Sequence, residues 1–137
     1  MAPENAVDVV RALFAAIERG DIATALTLVA EDVDWLSPAT RHPPPDFAWA
    51  GRRTRPAEIA EFFKQLGSAI ELGRMELHHV ATAGGKVFIE GSNGGTVRAT
   101  GKRYDHDWVM VFTVTDGRIV ALRHYYDPSE VMVAFRR

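Results

Sequence analysis

Apolar residues recur along this chain with two different periods, and the change of period divides it. Val7, Val10, Phe14 and Ile17, widened by Leu13, follow the i, i+3, i+4 spacing of one helix face. Gly20 predicts the stop of that helix and Asp21 the N-cap of a second, whose buried side is marked by Ile22, Ala25, Leu26 and Val29. "EDVDWLSP" (31–38) reads as a short extended segment ended by Pro38. "ATRHPPPDFAWAG" (39–51) is irregular, because three successive prolines exclude a helix and favour an exposed path. Phe47 and Trp49 are large for such a segment and are expected to fold back as a lid, with Val131, Met132 and Phe135 joining from the C-terminal end. A third helix follows Thr54, with Ile59, Phe62, Phe63, Leu66 and Ile70 on its apolar face.

After Gly73 the period becomes two. Strand runs are predicted at 75–83, 86–98, 103–115 and 118–126, separated by the turn sequences "AGGK", "TGK" and "TDG". The two glycines of "SNGG" (92–95) predict a bulge within a strand. Helices first and strands afterwards indicate an α+β fold, one domain over 1–137, with three N-terminal helices packed on one face of an antiparallel sheet. Alternation in "YDHDWVMVFTV" puts Tyr104, His106, Trp108, Met110 and Phe112 on one face and Asp105, Asp107, Val109 and Val111 on the other. Phe88, Val109, Val111 and Tyr125 make the second face apolar too. A sheet apolar on both sides needs two covers. The helices supply one, and a second copy of the chain is expected to supply the other, giving a homodimer.

Composition narrows the function classes. Hydrophobic residues make up 47% of the chain and charged residues 25%, ordinary for a globular protein. A net charge of −2 gives no reason to expect nucleic acid or an anionic membrane as partner, and the basic run "GRRTR" is short. Without cysteine, disulfides and thiol catalysis are excluded. The start "MAPENAVDVV" carries Glu4 and Asp8 and lacks the basic opening of a signal peptide. No uncharged apolar run approaches the roughly 20 residues that span a bilayer. A cytoplasmic location is expected. Asp105 and Asp107 point away from His106, and neither HExxH nor CxxC occurs, so no metal site and no cofactor are expected.

Three stretches carry a family resemblance: "VVRALFAAIERGDIATALTLVAEDVDWLSP" (9–38), "WAGRRTRPAEIAEFF" (49–63) and "GKRYDHDWVMVFTVTDGRIVALRHYYD" (101–127). Together they resemble the SnoaL-like branch of the nuclear transport factor 2 and ketosteroid isomerase superfamily. The resemblance implies a cone, in which a curved sheet wraps the helices around an apolar cavity, with the His106 face looking inward. The catalytic sets of relatives are absent. Steroid-isomerase positions fall on Leu13, Ser37 and Met110, and those of limonene-epoxide hydrolases on Gly91, Asn93, His124, Trp35 and Ser37. What remains is a wall of polar groups, Ser37, Asn93, His106, His124 and Tyr126, among Trp35, Trp49, Trp108 and Met110. Phe14 and Phe63 converge with the tryptophans on what reads as a flat hydrophobic ligand.

Imidazole is the side chain best matched to proton transfer near neutral pH. His124 is therefore the expected general acid or base, assisted by His106, with Asn93, Ser37 or Tyr126 donating to a developing oxyanion. The expected activity is of the isomerase, cyclase or hydratase kind on a small hydrophobic carbonyl compound. The alternative is a non-catalytic module that binds a hydrophobic ligand or serves dimerisation.

Overall fold

The computed structural model describes residues 5–137, so Glu4 of the acidic start lies outside the described residues. Helix α1 (Ala6–Glu18) is capped by the Asn5 side chain, which accepts from the Asp8 N–H at 2.9 Å. Gly20 ends it with φ +71°, a conformation that costs glycine little. Asp21 caps helix α2 (Ile22–Thr27) by accepting from the Thr24 N–H at 3.1 Å. Only Ala25 of α2 is fully buried, and Val29 opens strand β1 (Val29–Leu36) instead of extending that helix. Strand β2 (Arg52–Arg53) is two residues long and precedes helix α3 (Pro56–Ala69).

The change of period comes earlier than Gly73. Ile70 has φ −132° and ψ 131°, so strand β3 (Ile70–Ala83) begins where α3 ends, with no connecting loop. Strands β4 (Lys86–Val97), β5 (Arg103–Thr115) and β6 (Arg118–Tyr126) follow, and a short helix α4 (Ser129–Phe135) closes the described chain. The six strands lie in the order β2-β1-β6-β5-β4-β3.

The antiparallel expectation needs one correction. Strands β3 to β6 form an antiparallel meander, but β1 runs parallel to β6, with Trp35 beside Leu122 and Leu36 beside Arg123. Asp34 fastens that pair. Its carboxylate accepts from Arg123 and from Arg52, joining β6, β1 and β2, and the Arg123 guanidinium chiefly holds the Asp34 carboxyl below its usual range.

The bulge near "SNGG" also sits elsewhere. Leu72 opposes Gly95 and Met75 opposes Asn93, so the extra residue belongs to β3, at Gly73–Arg74. "SNGG" itself stays in register with β5, Asn93 facing His106 and Gly95 facing Tyr104. Gly95 of that stretch, with Gly91, makes room for rings. A Cβ on Gly91 would stand 2.6 Å from the Trp108 ring, and one on Gly95 would stand 2.7 Å from the Tyr104 hydroxyl.

The inner face of the sheet packs Ile89, Phe112 and Ile119 against Val10, Leu13 and Phe14 of α1 and Ile59 and Phe62 of α3. The outer face carries Phe88, Val109 and Tyr125, the last 50% exposed. Among the described residues no helix is long and apolar enough to cross a membrane.

Candidate functional site

A pocket of about 100 Å³ lies between the inner sheet face and α1, α3, α4 and the 37–51 segment. The sequence-predicted residues that line it are Phe14 from α1, Trp35 from β1, Ser37 and Trp49 from the irregular segment, and Phe63 from α3. Asn93, His106, Met110, His124 and Tyr126 line it from the sheet. Trp108 does not. Its ring lies over the bare backbone of Gly91 and stacks with Phe14 at 6.4 Å, so it packs behind the wall instead of in it.

The β5–β6 hairpin fixes the polar end. Its turn, Asp116–Gly117, has φ of 51° and 75°, the left-handed pair that tight hairpins favour. Pairing then sets His124 opposite Met110 and Tyr126 opposite Trp108. The parallel neighbour β1 delivers Ser37, whose Oγ lies 2.9 Å from His124 Nδ1. Ser37 is 2% exposed, and the His124 Nε2 atom is buried without a hydrogen-bond partner. Burial, reinforced by the neighbouring His106, pushes the His124 pKa down to about 3, so its ring is neutral at ordinary pH.

His106 differs. It is half-buried, and its Nδ1 donates to the Asn93 carbonyl at 3.2 Å. Burial lowers its pKa, against a weaker upward pull from that hydrogen bond and from Asp107, Asp105 and Glu130. The Tyr126 ring stands between the two imidazoles, 4.8 Å from His124 and 4.9 Å from His106. Burial raises the pKa of Tyr126, and that of Tyr104 is pushed up to about 12 for the same reason. Both phenols therefore keep their protons. Tyr104 lines the pocket and was not named among the site residues, although the alternation that selected His106 places it on the same face. Leu72 and Met75 also reach the pocket, from either side of the β3 bulge, which no sequence period marks.

Beside His124 the wall turns aromatic, since Trp35 of β1 pairs with Leu122 of β6. Trp35 meets Phe62 and Phe63 edge-on, each at 6.0 Å, and its indole Nε1 is buried without a partner. Phe47 and Trp49 stack at 4.6 Å, and Phe135 lies 6.2 Å from each. Arg53 ties this segment to α3 by donating to the Trp49 carbonyl at 3.0 Å and to Gln65 Oε1 at 2.7 Å. Val131 joins the lining, whereas Met132 faces outward and is 38% exposed, so it takes no part in the lid. Among the described residues no three His, Asp or Glu side chains converge as metal ligands.

Comparison with known proteins gives a consistent result. The SnoaL-like domain matches residues 10–122. A solved NTF2-like protein from Burkholderia thailandensis is 26% identical, covers 98% of this chain and 100% of its own, and superposes with a TM-score of 0.86. A candidate polyketide cyclase from Xanthomonas campestris is 25% identical over 94% of this chain and 95% of its own, with a TM-score of 0.74. A protein of ketosteroid isomerase-like fold from Catenulispora acidiphila, solved in complex with trimethylamine, is 21% identical over 98% of this chain and 93% of its own, with a TM-score of 0.75. No curated protein sequence matches the chain.

Proposed function

The chain belongs to the SnoaL-like domain family, with the NTF2-like fold, and on that premise we propose that its pocket binds a small hydrophobic, carbonyl-bearing molecule and moves a proton on it. The reaction would be of the isomerase, cyclase or hydratase kind, with the two histidines as the proton-handling groups. One observation carries this reading: a neutral histidine whose buried Nε2 has no hydrogen-bond partner lines a pocket of aromatic and aliphatic side chains. Such a nitrogen calls for a polar ligand atom, and the rings call for a flat apolar body.

The pocket volume bounds that body. Apolar cavities of about 150 Å³ hold one benzene ring, so about 100 Å³ suits a single ring at most. A polyketide- or steroid-sized ligand would have to displace the Phe47–Trp49–Phe135 stack.

A thermal-shift panel of single-ring carbonyl compounds, run beside polyketide, steroid and terpenoid ones, tests the proposal. A true ligand at a hundred times its Kd should add about 2.7 kcal/mol of apparent stability. A flat response across the panel would remove the pocket reading. Binding without turnover would favour a non-catalytic ligand-binding module instead, a reading supported by the absence of the relatives' catalytic residues at Leu13, Gly91 and Met110.

The outer face enters the same proposal. Phe88, Val109 and Tyr125 form an exposed apolar strip across three neighbouring strands, and a second copy of the chain is its natural cover, in a cytoplasmic homodimer. Sedimentation should report twice the 15.2 kDa of one chain. Val111→Asp, which would bury an unpaired charge in that contact, should return the single-chain mass while the thermal response to a ligand persists.

A further inference from the structure

We propose that His124 and Trp35 are a pair of neutral hydrogen-bond donors for one oxygen of the ligand, and that His106 is the imidazole left free to take a proton. This rests on the pocket reading and reverses the division of labour that the sequence implied.

The argument starts from Ser37. Its hydroxyl is buried, and among the described residues its hydrogen-bond partner is His124 Nδ1. A buried hydroxyl that did not donate would waste its proton, and Nδ1 is the acceptor in reach. Nδ1 is then occupied as acceptor, so the proton of the neutral ring sits on Nε2. That Nε2–H is buried with nothing to bond. Trp35 supplies a second such group, because an indole N–H can only donate and Trp35 Nε1 is equally unpaired. Both side chains line the same pocket. Trp108 Nε1 is unpaired as well, but Trp108 lies outside the lining.

Two unpaired donors on one small pocket select an acceptor-only partner. A carbonyl, enolate or phenolate oxygen fits, whereas a hydrocarbon leaves both donors bare and an ammonium group repels them. His106 has the opposite polarity. The Asn93 carbonyl can only accept, so His106 Nδ1 carries the hydrogen and Nε2 keeps its lone pair. His106 and Asn93 also line an outer groove with Asp105 and Asp107, through which a proton can reach solvent.

The step balances. His106 Nε2 takes a proton from the carbon next to the ligand carbonyl. The C–H electron pair becomes the new carbon–carbon π bond, and the carbonyl π pair moves onto oxygen. The N–H groups of His124 and Trp35 receive that oxygen. Where the ligand carries a β,γ double bond, His106 returns the proton to the γ carbon while the double bonds shift by one position and the carbonyl re-forms, and no external oxidant or reductant is needed.

Two measurements decide the matter. Nitrogen NMR of imidazole-labelled protein at about pH 7 should show His124 as its Nε2–H tautomer and His106 as its Nδ1–H tautomer. A proton on His124 Nδ1 would overturn the donor pairing whether or not any ligand binds. The second measurement compares the affinities of 4-nitrophenolate and 4-nitrotoluene, one ring each, which differ in the acceptor oxygen. The wild type should prefer the phenolate, and Trp35→Phe and His124→Phe should each reduce that preference by about tenfold or more, the scale of a hydrogen bond to a charged acceptor. Because the preference is a ratio, packing losses common to both probes cancel. An undiminished preference in both variants overturns the pairing alone. Binding of neither probe overturns the pocket reading, and the pairing with it.

Discussion

Stability should fall as the solution is acidified below about pH 6.5, and His124→Phe should remove most of that fall. The folded imidazole binds a proton only near pH 3, and the unfolded one near 6.5. Between these values the unfolded chain holds the extra proton, so acid favours unfolding by about 1.4 kcal/mol per pH unit for each such group. Above about 6.5 both forms are neutral, and the group contributes no pH dependence. Urea unfolding at pH 5 against pH 7.5 should therefore show a loss of about 2 kcal/mol, somewhat more with the smaller, same-signed shift of His106. The carboxylates held below their usual range, Asp34 and Glu58 among them, lose their contributions only as pH falls below their ordinary values of 3.8 and 4.5, outside that window. His124→Phe keeps a planar ring in place but leaves the Ser37 hydroxyl unpaired, so its stability at neutral pH should drop by about 1–3 kcal/mol. The slope is the decisive readout. A variant that kept the full acid slope would show that His124 is not the buried neutral group.

Gly91→Ala should destabilise the chain by about 1–3 kcal/mol, the usual cost of forcing a methyl group into a filled site. The added Cβ would meet the Trp108 ring at 2.6 Å from one side and the Glu76 carbonyl at 2.6 Å from the other. One neighbour is a buried indole and the other is backbone of the adjacent strand, so neither can retreat freely. Trp108→Leu in the same background should recover part of the loss, since it relieves the side-chain clash and leaves the backbone one. A double-mutant cycle on urea midpoints measures that coupling. Equal costs of Gly91→Ala with and without the indole would contradict the packing of Trp108 over this glycine.

These two residues also show what the sequence could and could not convey. Alternation in β5 and the "TDG" turn set the registry of the hairpin, and with it His124 opposite Met110, because period and turn chemistry are local. Trp108 shares the parity of His106 yet leaves the pocket, because an absent side chain on the next strand gives its ring somewhere else to lie. Parity says which face a residue takes, not how far it leans. Ser37 was legible as a polar pocket group but not as the partner of His124, since the parallel pairing of β1 with β6 is written nowhere near either residue. Strand β2 is too short for any period to register, and α4 offers a few apolar residues without a side-chain cap. Ile70 satisfied both the helical stripe of α3 and the start of β3, and backbone geometry, not side-chain type, decided between them.

Ser37 and His124 are 87 residues apart in the chain. The strands around His124, by contrast, join through short turns, and near contacts form before distant ones because closing a longer loop costs more entropy. If the meander pairs first, β6 is its outer edge until β1 docks, and His124 meets water there. In that state it binds a proton as readily as any free imidazole. Docking of the first strand then drives the proton off, so in mildly acidic solution the closing of the longest loop is opposed by acidity.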